Sequence, residues 1–591
     1  MSIGFVGLSS VTEAVRANAL SRPGDPAVAF VRELSTEKGS QTVSYAELDT
    51  EAQRIAVELQ RRLTVGDRAL LLYPEGIDFA VAFLGCLYAG VVAVPAPLPG
   101  QYRHQRERVT SIARNAGVSL VLTNGEAHDD VLAWADGQDS FRADCLRTDL
   151  AELTAPGEWV APELGHETLA LLQYTSGSTG EPKGVMITHG NLLHNVDGLR
   201  RSFGLDERTR FGSWIPHYHD MGLMGILLPP LILGGSCTLM APTTFLKRPH
   251  WWLRMVDEYD LHWSAAPNFA YELCTRQITD EQLAGIDLSR WRFAPNGSEP
   301  VQASTLSGFA ERFAGAGFRP EVLTPCYGMA EATVFISGAG DREPVVRHVD
   351  TEGLERHVFE PVGADRPGRS VVACGTPHDY TVRIVDPATR EVLPQGRIGE
   401  IWLRGPSVAL GYWENPEATE ATFRAETADG QGGYLRSGDL GVLHDGEIHV
   451  TGRIKEVLIV RGRNLYPQDI EHELRAQHED LQGLFGAVFG VGTVREDGRE
   501  EELLVVTHEV RGRLAEDVLR KLAMDMRQTV AREFGARVSA VVLVRRGGIK
   551  RTTSGKIQRA AMREAFRAGE LNTLHVEADR QLSSALAPRQ A

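Results

Sequence analysis

Cysteine is sparse in this 591-residue chain: six residues, Cys86, Cys145, Cys237, Cys274, Cys326 and Cys374, with no Cys-x-x-Cys pair. That spacing excludes a zinc site built on paired thiolates and a disulfide framework, and points to reduced thiols in the cytoplasm. Long apolar runs are also lacking. The longest, Met221 to Gly235, is broken by Pro229-Pro230 and is too short to span a bilayer. The opening Met-Ser-Ile-Gly-Phe-Val-Gly has no basic segment ahead of an apolar one, so neither a signal peptide nor membrane insertion is expected. Positive charge is in deficit, with 62 Lys and Arg against 78 Asp and Glu and a formal charge of -16. This argues against a general nucleic-acid binder and leaves room only for a local basic patch. No repeat period is visible.

Hydrophobic residues make up 42% and charged residues 24%, ordinary values for a globular chain long enough for two or more domains. Ser44 followed by Glu47 has the form of a capping box opening a helix. Arg68–Tyr73 and Val91–Val94 read as buried strands, and Ile77–Tyr88 as an apolar helix ending at Gly90. The alternation predicts an α/β architecture with largely parallel sheets. Arg103, Arg106 and Arg108 begin a basic helix read as a solvated face. Residues 338–375 are polar, with Val371–Ala373 the only strand-like piece. Short strands with turn signals at 381–385, 399–403 and 447–450 predict a small β subdomain. From about 456 a smaller α+β unit follows, with strands near 487–491, 503–510 and 540–544 and helices at 467–477 and 514–533. The tail from about 568 is polar and expected to fray.

The densest chemistry lies in Tyr174-Thr-Ser-Gly-Ser-Thr-Gly-Glu-Pro-Lys-Gly184. An apolar strand, Leu169–Leu172, leads in, and a helix begins near Asn191. Gly177 and Gly180 let backbone N–H groups converge on an anion, Thr175, Ser176, Ser178 and Thr179 add hydroxyl donors, and Lys183 adds a cation. The string reads as a polyphosphate-holding loop. It is not a Walker loop, because Pro182 stands where the second Gly of that pattern belongs.

Further along, Trp214-Ile-Pro-His-Tyr-His-Asp-Met-Gly222 brings His217, His219 and Asp220 together, as a metal site or as a core turn with satisfied histidines. In Phe293-Ala-Pro-Asn-Gly-Ser-Glu-Pro300, Asn296, Gly297 and Ser298 form a strand-to-turn step able to follow a purine edge. Tyr327-Gly328-Met329 offers an aromatic plate for stacking on adenine, and Glu331 a hard oxygen ligand for Mg²⁺. Asp439 can accept hydrogen bonds from vicinal ribose hydroxyls. Lys556 follows a Ser-Gly turn that would project its ammonium from a loop tip.

In this order, the strings resemble the acyl-adenylate-forming superfamily: acyl-CoA synthetases, nonribosomal peptide adenylation domains, luciferases and fatty acyl-AMP ligases. The resemblance spans roughly residues 170–560. It implies a large N-terminal adenylation domain, 1–454, with two α/β sheet layers and a small β subdomain, and a small mobile α+β domain, 455–591. It implies ATP and Mg²⁺ as cofactors and activation of a carboxylate to an acyl-adenylate. By resemblance Lys556 contacts the carboxylate and α-phosphate, Arg453 lies near ribose and phosphate, Lys455 is the hinge, and His219 stands in a string lining the acyl and nucleotide pocket.

Three features resemble the fatty acyl-AMP ligase branch: Tyr218–Gly222, Arg461–Glu471, and the long polar connection after Glu331. That connection is similar to an insertion, at about 343–370, which in this branch restrains the small domain. The implied reaction is ATP-dependent formation of a fatty acyl-AMP, then transfer to the phosphopantetheine thiol of an acyl carrier protein, with Arg545, Arg546, Lys550 and Arg551 able to meet an acidic carrier. A medium- or long-chain acyl-CoA synthetase, or a degenerate non-enzymatic relative, are the alternatives.

Overall fold

The computed structural model describes residues 7–34, 39–137, 143–150, 156–175, 182–460, 463–494, 500–512, 514–552, 555–579 and 582. A six-stranded sheet runs in the order Asp144–Arg147, Leu120–Thr123, Arg68–Leu72, Val92–Ala96, Leu169–Thr175, Lys183–Thr188. It is parallel except for its last pair, a hairpin in which Thr175 lies opposite Lys183. The strand Lys183–Thr188 was not expected from the sequence. It fixes both ends of the polar loop to a sheet edge.

A second sheet, Ser40–Ser44, Pro26–Val31, Ser236–Met240, Arg210–Ser213, is parallel beyond its first pair. Parallel bridges through Trp263 and Phe293 carry it on to Ala266–Pro267, Ala294–Gly297 and Leu323–Pro325. Both sheets share one large hydrophobic core. The Ser44 capping box is present, and Gly90 ends the helix Ile77–Ala89 in the left-handed region, φ 71°.

An antiparallel sheet, Thr381–Val385, Gly399–Arg404, Leu435–His444, Glu447–Arg453, follows. Beyond it, two hydrophobic clusters consist wholly of residues from Leu458 onward. They sandwich the sheet Gly486–Val494, Glu500–Val510, Val538–Arg545, Thr573–Ala578 with the helices Pro467–Gln477, Glu516–Phe534 and Arg559–Arg567.

Two expectations need correction. The tail after 568 is not frayed throughout: Thr573–Ala578 pairs antiparallel with Val538–Arg545 and closes the last sheet. Its polar residues gave no hydrophobic signal because an edge strand is held by backbone hydrogen bonds. The polar stretch at 343–370 also contains a strand, Val346–Asp350, paired with Gly368–Val372 and followed by the short helix Thr351–Glu355. Val349, Leu354, Phe359 and Val371 pack with Leu440 of the antiparallel sheet and with Tyr466. Two ion pairs, Arg369–Asp469 and Arg463–Glu355, join the same stretch to residues beyond 455.

Candidate active site

Two groups of the residues singled out in the sequence come together: Lys183 and Glu331 about Tyr412, and Tyr327 and Arg453 about Asp439. Glu331 sits on a short 3₁₀ turn, Ala330–Ala332, and accepts a hydrogen bond from the Tyr412 hydroxyl at 2.9 Å. Lys183 places its ammonium 4.8 Å from the centre of that same Tyr412 ring. Burial raises the Glu331 pKa, and the Tyr412 hydrogen bond partly offsets it. A half-buried carboxylate with one hydroxyl donor is suited to a hard divalent cation. Ser176, Gly177, Ser178, Thr179 and Gly180 lie outside the described residues.

Asp439 is buried on the strand Leu435–His444, with both oxygens engaged. Oδ2 accepts from the Tyr327 hydroxyl and Oδ1 from Arg453 Nε, each at 2.7 Å. Tyr327 thus uses its hydroxyl, and the exposed Arg453 side chain is tied to a buried carboxylate. The neighbouring Asp439 charge, outweighing burial, raises the Arg453 pKa.

Asn296 is fully buried, and its Oδ1 has no hydrogen-bond partner among the described residues, while Nδ2 donates to Asn268. An orphaned buried carbonyl fits an incoming N–H donor, such as a purine amino group. Gly297 packs its backbone on Cys326, where an added Cβ would come within 3.0 Å of the Cys326 carbonyl oxygen. Ser298 takes a left-handed φ of 67° and sets its hydroxyl 3.3 Å from Met221 Sδ. Met329 is half-buried and leads into the turn that carries Glu331.

Gly328 is sterically required. An added Cβ would lie 1.7 Å from the Val334 carbonyl oxygen. Gly328→Ala should shift the turn holding Tyr327 and Glu331, and a displacement near 1 Å costs about 10²-fold in rate. Pyrophosphate exchange, with circular dichroism confirming folding, measures it.

His219 caps the short helix Asp220–Gly222, with its Nδ1 2.7 Å from Asp220 Oδ1. His217 is separate, stacked on Phe79 at 3.9 Å and bonded to Glu75 at 3.0 Å. The metal reading of this string therefore loses its geometry, because the two histidines turn to different partners.

Lys556 reaches the same site from the far end of the chain. Burial lowers its pKa, opposed by the charges of Asp220, Glu299 and Asp439. Gly555 sits against Phe269, whose backbone N–H donates to Glu299 at 2.6 Å. Burial raises the Glu299 pKa. Burial would also raise Asp220, but His219, Lys556 and the Met221 N–H outweigh it and hold the group down to about 2. Sequence reasoning missed Glu299 and Tyr412 as site residues, and took Asp220 only as a possible metal ligand. Glu299 and Asp220 stood within quoted strings, but only the arrival of Lys556 gives them a role.

The sequence pattern of the AMP-binding enzyme family matches residues 15–413. The chain is 41% identical over 547 residues to "Medium-chain-fatty-acid--[acyl-carrier-protein] ligase JamA" of Moorena producens (strain JHB), covering 91% of this chain and 92% of that one. It is 36% identical over 583 residues to "4-hydroxyphenylalkanoate adenylyltransferase" of Mycobacterium tuberculosis (strain ATCC 25618 / H37Rv), covering 96% and 93%. The crystal structure of fatty acyl-adenylate ligase from L. pneumophila in complex with acyl adenylate and pyrophosphate superposes with a TM-score of 0.74 at 34% identity, covering 97% and 98%. The chain belongs to the AMP-binding enzyme family, and it is a ligase of the acyl-adenylate-forming superfamily.

Proposed function

We propose that the protein activates a medium- or long-chain fatty acid with ATP and passes the acyl group to a carrier protein. In the first step a carboxylate oxygen attacks the α-phosphorus, the α–β bridging P–O bond breaks, and pyrophosphate leaves. In the second, the thiol sulfur of a phosphopantetheine arm bonds to the acyl carbon, the acyl–oxygen bond breaks, AMP leaves, and the thiol proton is released. The reading is supported by the charges of Asp220, Glu299 and Asp439 acting on Lys556, by the packing of Gly555 on Phe269, whose N–H donates to Glu299, and by relatives named for acyl activation and carrier ligation. Glu331 would hold Mg²⁺, which neutralises phosphate charge as the bond breaks. Lys183 and the loop after Thr175 would bind the departing phosphates, and Asp439 would exchange its protein donors for ribose hydroxyls. The chain would divide into residues 1–454 and 455–591, hinged at Lys455, and work in the cytoplasm.

The test is pyrophosphate exchange over a panel of straight-chain and hydroxyphenyl acids, followed by acyl transfer with CoA and a holo carrier protein in parallel. The expected result is exchange with a fatty acid, and an adenylate that the carrier consumes and CoA does not. Rapid acyl-CoA formation would overturn the acceptor. Exchange with hydroxyphenyl acids alone would overturn the substrate class.

A further inference from the structure

The chain carries a formal charge of -16, yet one face of it is crowded with arginine. Arg276 ends the large-domain helix Asn268–Gln277. Its guanidinium lies on the backbone of Gly483, where an added Cβ would be 2.2 Å from the guanidinium carbon. Arg511 donates to the Gln482 carbonyl at 2.6 Å, and Arg551 stacks on Phe485 at 3.9 Å. Three guanidinium groups thus gather at the turn 482–485, one from the large domain and two from beyond residue 455. Arg475 and the exposed Arg546 are close enough for their charges to act on Arg276.

The acids around this group are Glu272, Glu509 and, on the 3₁₀ turn Glu479–Leu481 just before it, the exposed Glu479 and Asp480. Glu272 lies 3.4 Å from Arg276. Glu509 is buried and accepts from the backbone N–H groups of Phe485, Gly547 and Ile549. Asp480 acts on His478, which bonds Thr529 on the helix Glu516–Phe534. Like charges set across a domain boundary oppose the arrangement that brings Lys556 to the site. An anionic partner bridging both sides would reverse the sign of that contribution.

We propose that this composite arginine face is the docking surface for an acidic carrier protein, engaged while the small domain still holds Lys556 at the adenylation site. The inference rests on the reaction proposed above and adds where and when its partner binds. A protein partner fits better than a small anion, because the arginines spread across several elements instead of converging on one buried point. A basic patch on an acidic protein steers an acidic partner and excludes basic ones. Because the face exists only when the two domains meet, docking and the adenylating arrangement must stabilise each other. A carrier bound there need not carry its phosphopantetheine arm to favour adenylation.

The probe is the acidic acyl carrier protein of bacterial fatty-acid synthesis in its apo form, which cannot accept an acyl group. Binding is read by calorimetry and adenylation by pyrophosphate exchange. The apo carrier should bind and should raise the exchange rate severalfold at low salt, and both effects should fade once salt shortens the Debye length to about 3 Å near 1 M. Arg276→Glu and Arg511→Glu should each weaken binding about 10-fold, the size of one lost close charge pair, and leave carrier-free exchange in place. Absence of binding overturns the proposal. So does binding lost in Arg511→Glu but unchanged in Arg276→Glu, since the site would then lie on the small domain alone. Failure of every acid to support carrier-free exchange would instead sink the reaction itself, and the binding isotherms would still decide the surface.

Discussion

Lys556→Ala should lower pyrophosphate exchange by about 10²–10³-fold, the range measured when one preorganised donor to developing charge is removed. The side chain is half-buried and feels the charges of Asp220, Glu299 and Asp439. Substrates that bring their own negative charge would then meet an ammonium already desolvated and aimed, with little reorganisation left for the reaction. Transfer from chemically supplied acyl-AMP to the carrier should survive in the same variant, because that step does not require Lys556 at the α-phosphate. Loss of both half-reactions would assign the lysine to folding or docking instead. A pH profile separates the roles further. Burial lowers the lysine pKa, so the ammonium form is lost at lower pH than for an exposed lysine. Adenylation should therefore fall as pH rises through that lowered value. Glu299 is one of the groups opposing the shift. Glu299→Gln should move the alkaline limb to still lower pH and leave the transfer step unchanged. An alkaline limb unmoved in Glu299→Gln would mean that the carboxyl only anchors the Phe269 backbone.

The elements legible in the sequence are those written in local chemistry. The Ser44–Glu47 box, the left-handed Gly90 and the apolar strands at 68–73 and 91–94 need no tertiary information, and they stand where the pattern put them. The site was legible because its residues sit in short ordered strings. Their partners were not. Tyr327 and Asp439 are 112 residues apart, and nothing local announces that a tyrosine suited to stacking will donate to a carboxylate. Glu299 reads as part of a turn until Lys556 arrives. The edge strand Thr573–Ala578 and the hairpin Val346–Asp350/Gly368–Val372 escaped for another reason. The edge strand is largely polar and partly exposed, so its pairing rests on backbone groups that every residue carries alike, and in the hairpin only Val371–Val372 was legible, because Val349 finds its apolar partners far away in sequence.

Arg369→Ala should loosen the hold of the hairpin Val346–Asp350/Gly368–Val372 on the residues beyond 455, the part proposed above to turn about Lys455. Arg369, on the strand Gly368–Val372, pairs with Asp469 in the first turn of the helix Pro467–Gln477. Asp469 is 11% exposed in its side chain, and removing one partner of such a buried pair costs about 3–5 kcal/mol. The carboxyl has an escape. Burial already pushes its pKa up to about 6 against the pull of Arg369, and without the arginine it would rise further and bind a proton near neutrality. The sign then follows. In the wild type the group is ionised and paired above about pH 6. In the variant, docking buries a bare carboxylate or must draw a proton from solution, so the defect should be smallest near pH 6 and grow toward pH 8. Limited proteolysis near Lys455 should accelerate over that range, and pyrophosphate exchange should fall as Lys556 spends less time at the site. Because the same freed domain can then adopt other arrangements, slow acyl-CoA formation should rise above background. Arg463→Ala removes the second tie, to Glu355, and should act in the same direction with a smaller effect, since Arg463 is the more exposed cation, at 38% against 27% for Arg369. A pH-independent defect in Arg369→Ala would mean that the arginine acts through its stacking on Tyr466, 5.5 Å from the ring centre, and not through Asp469.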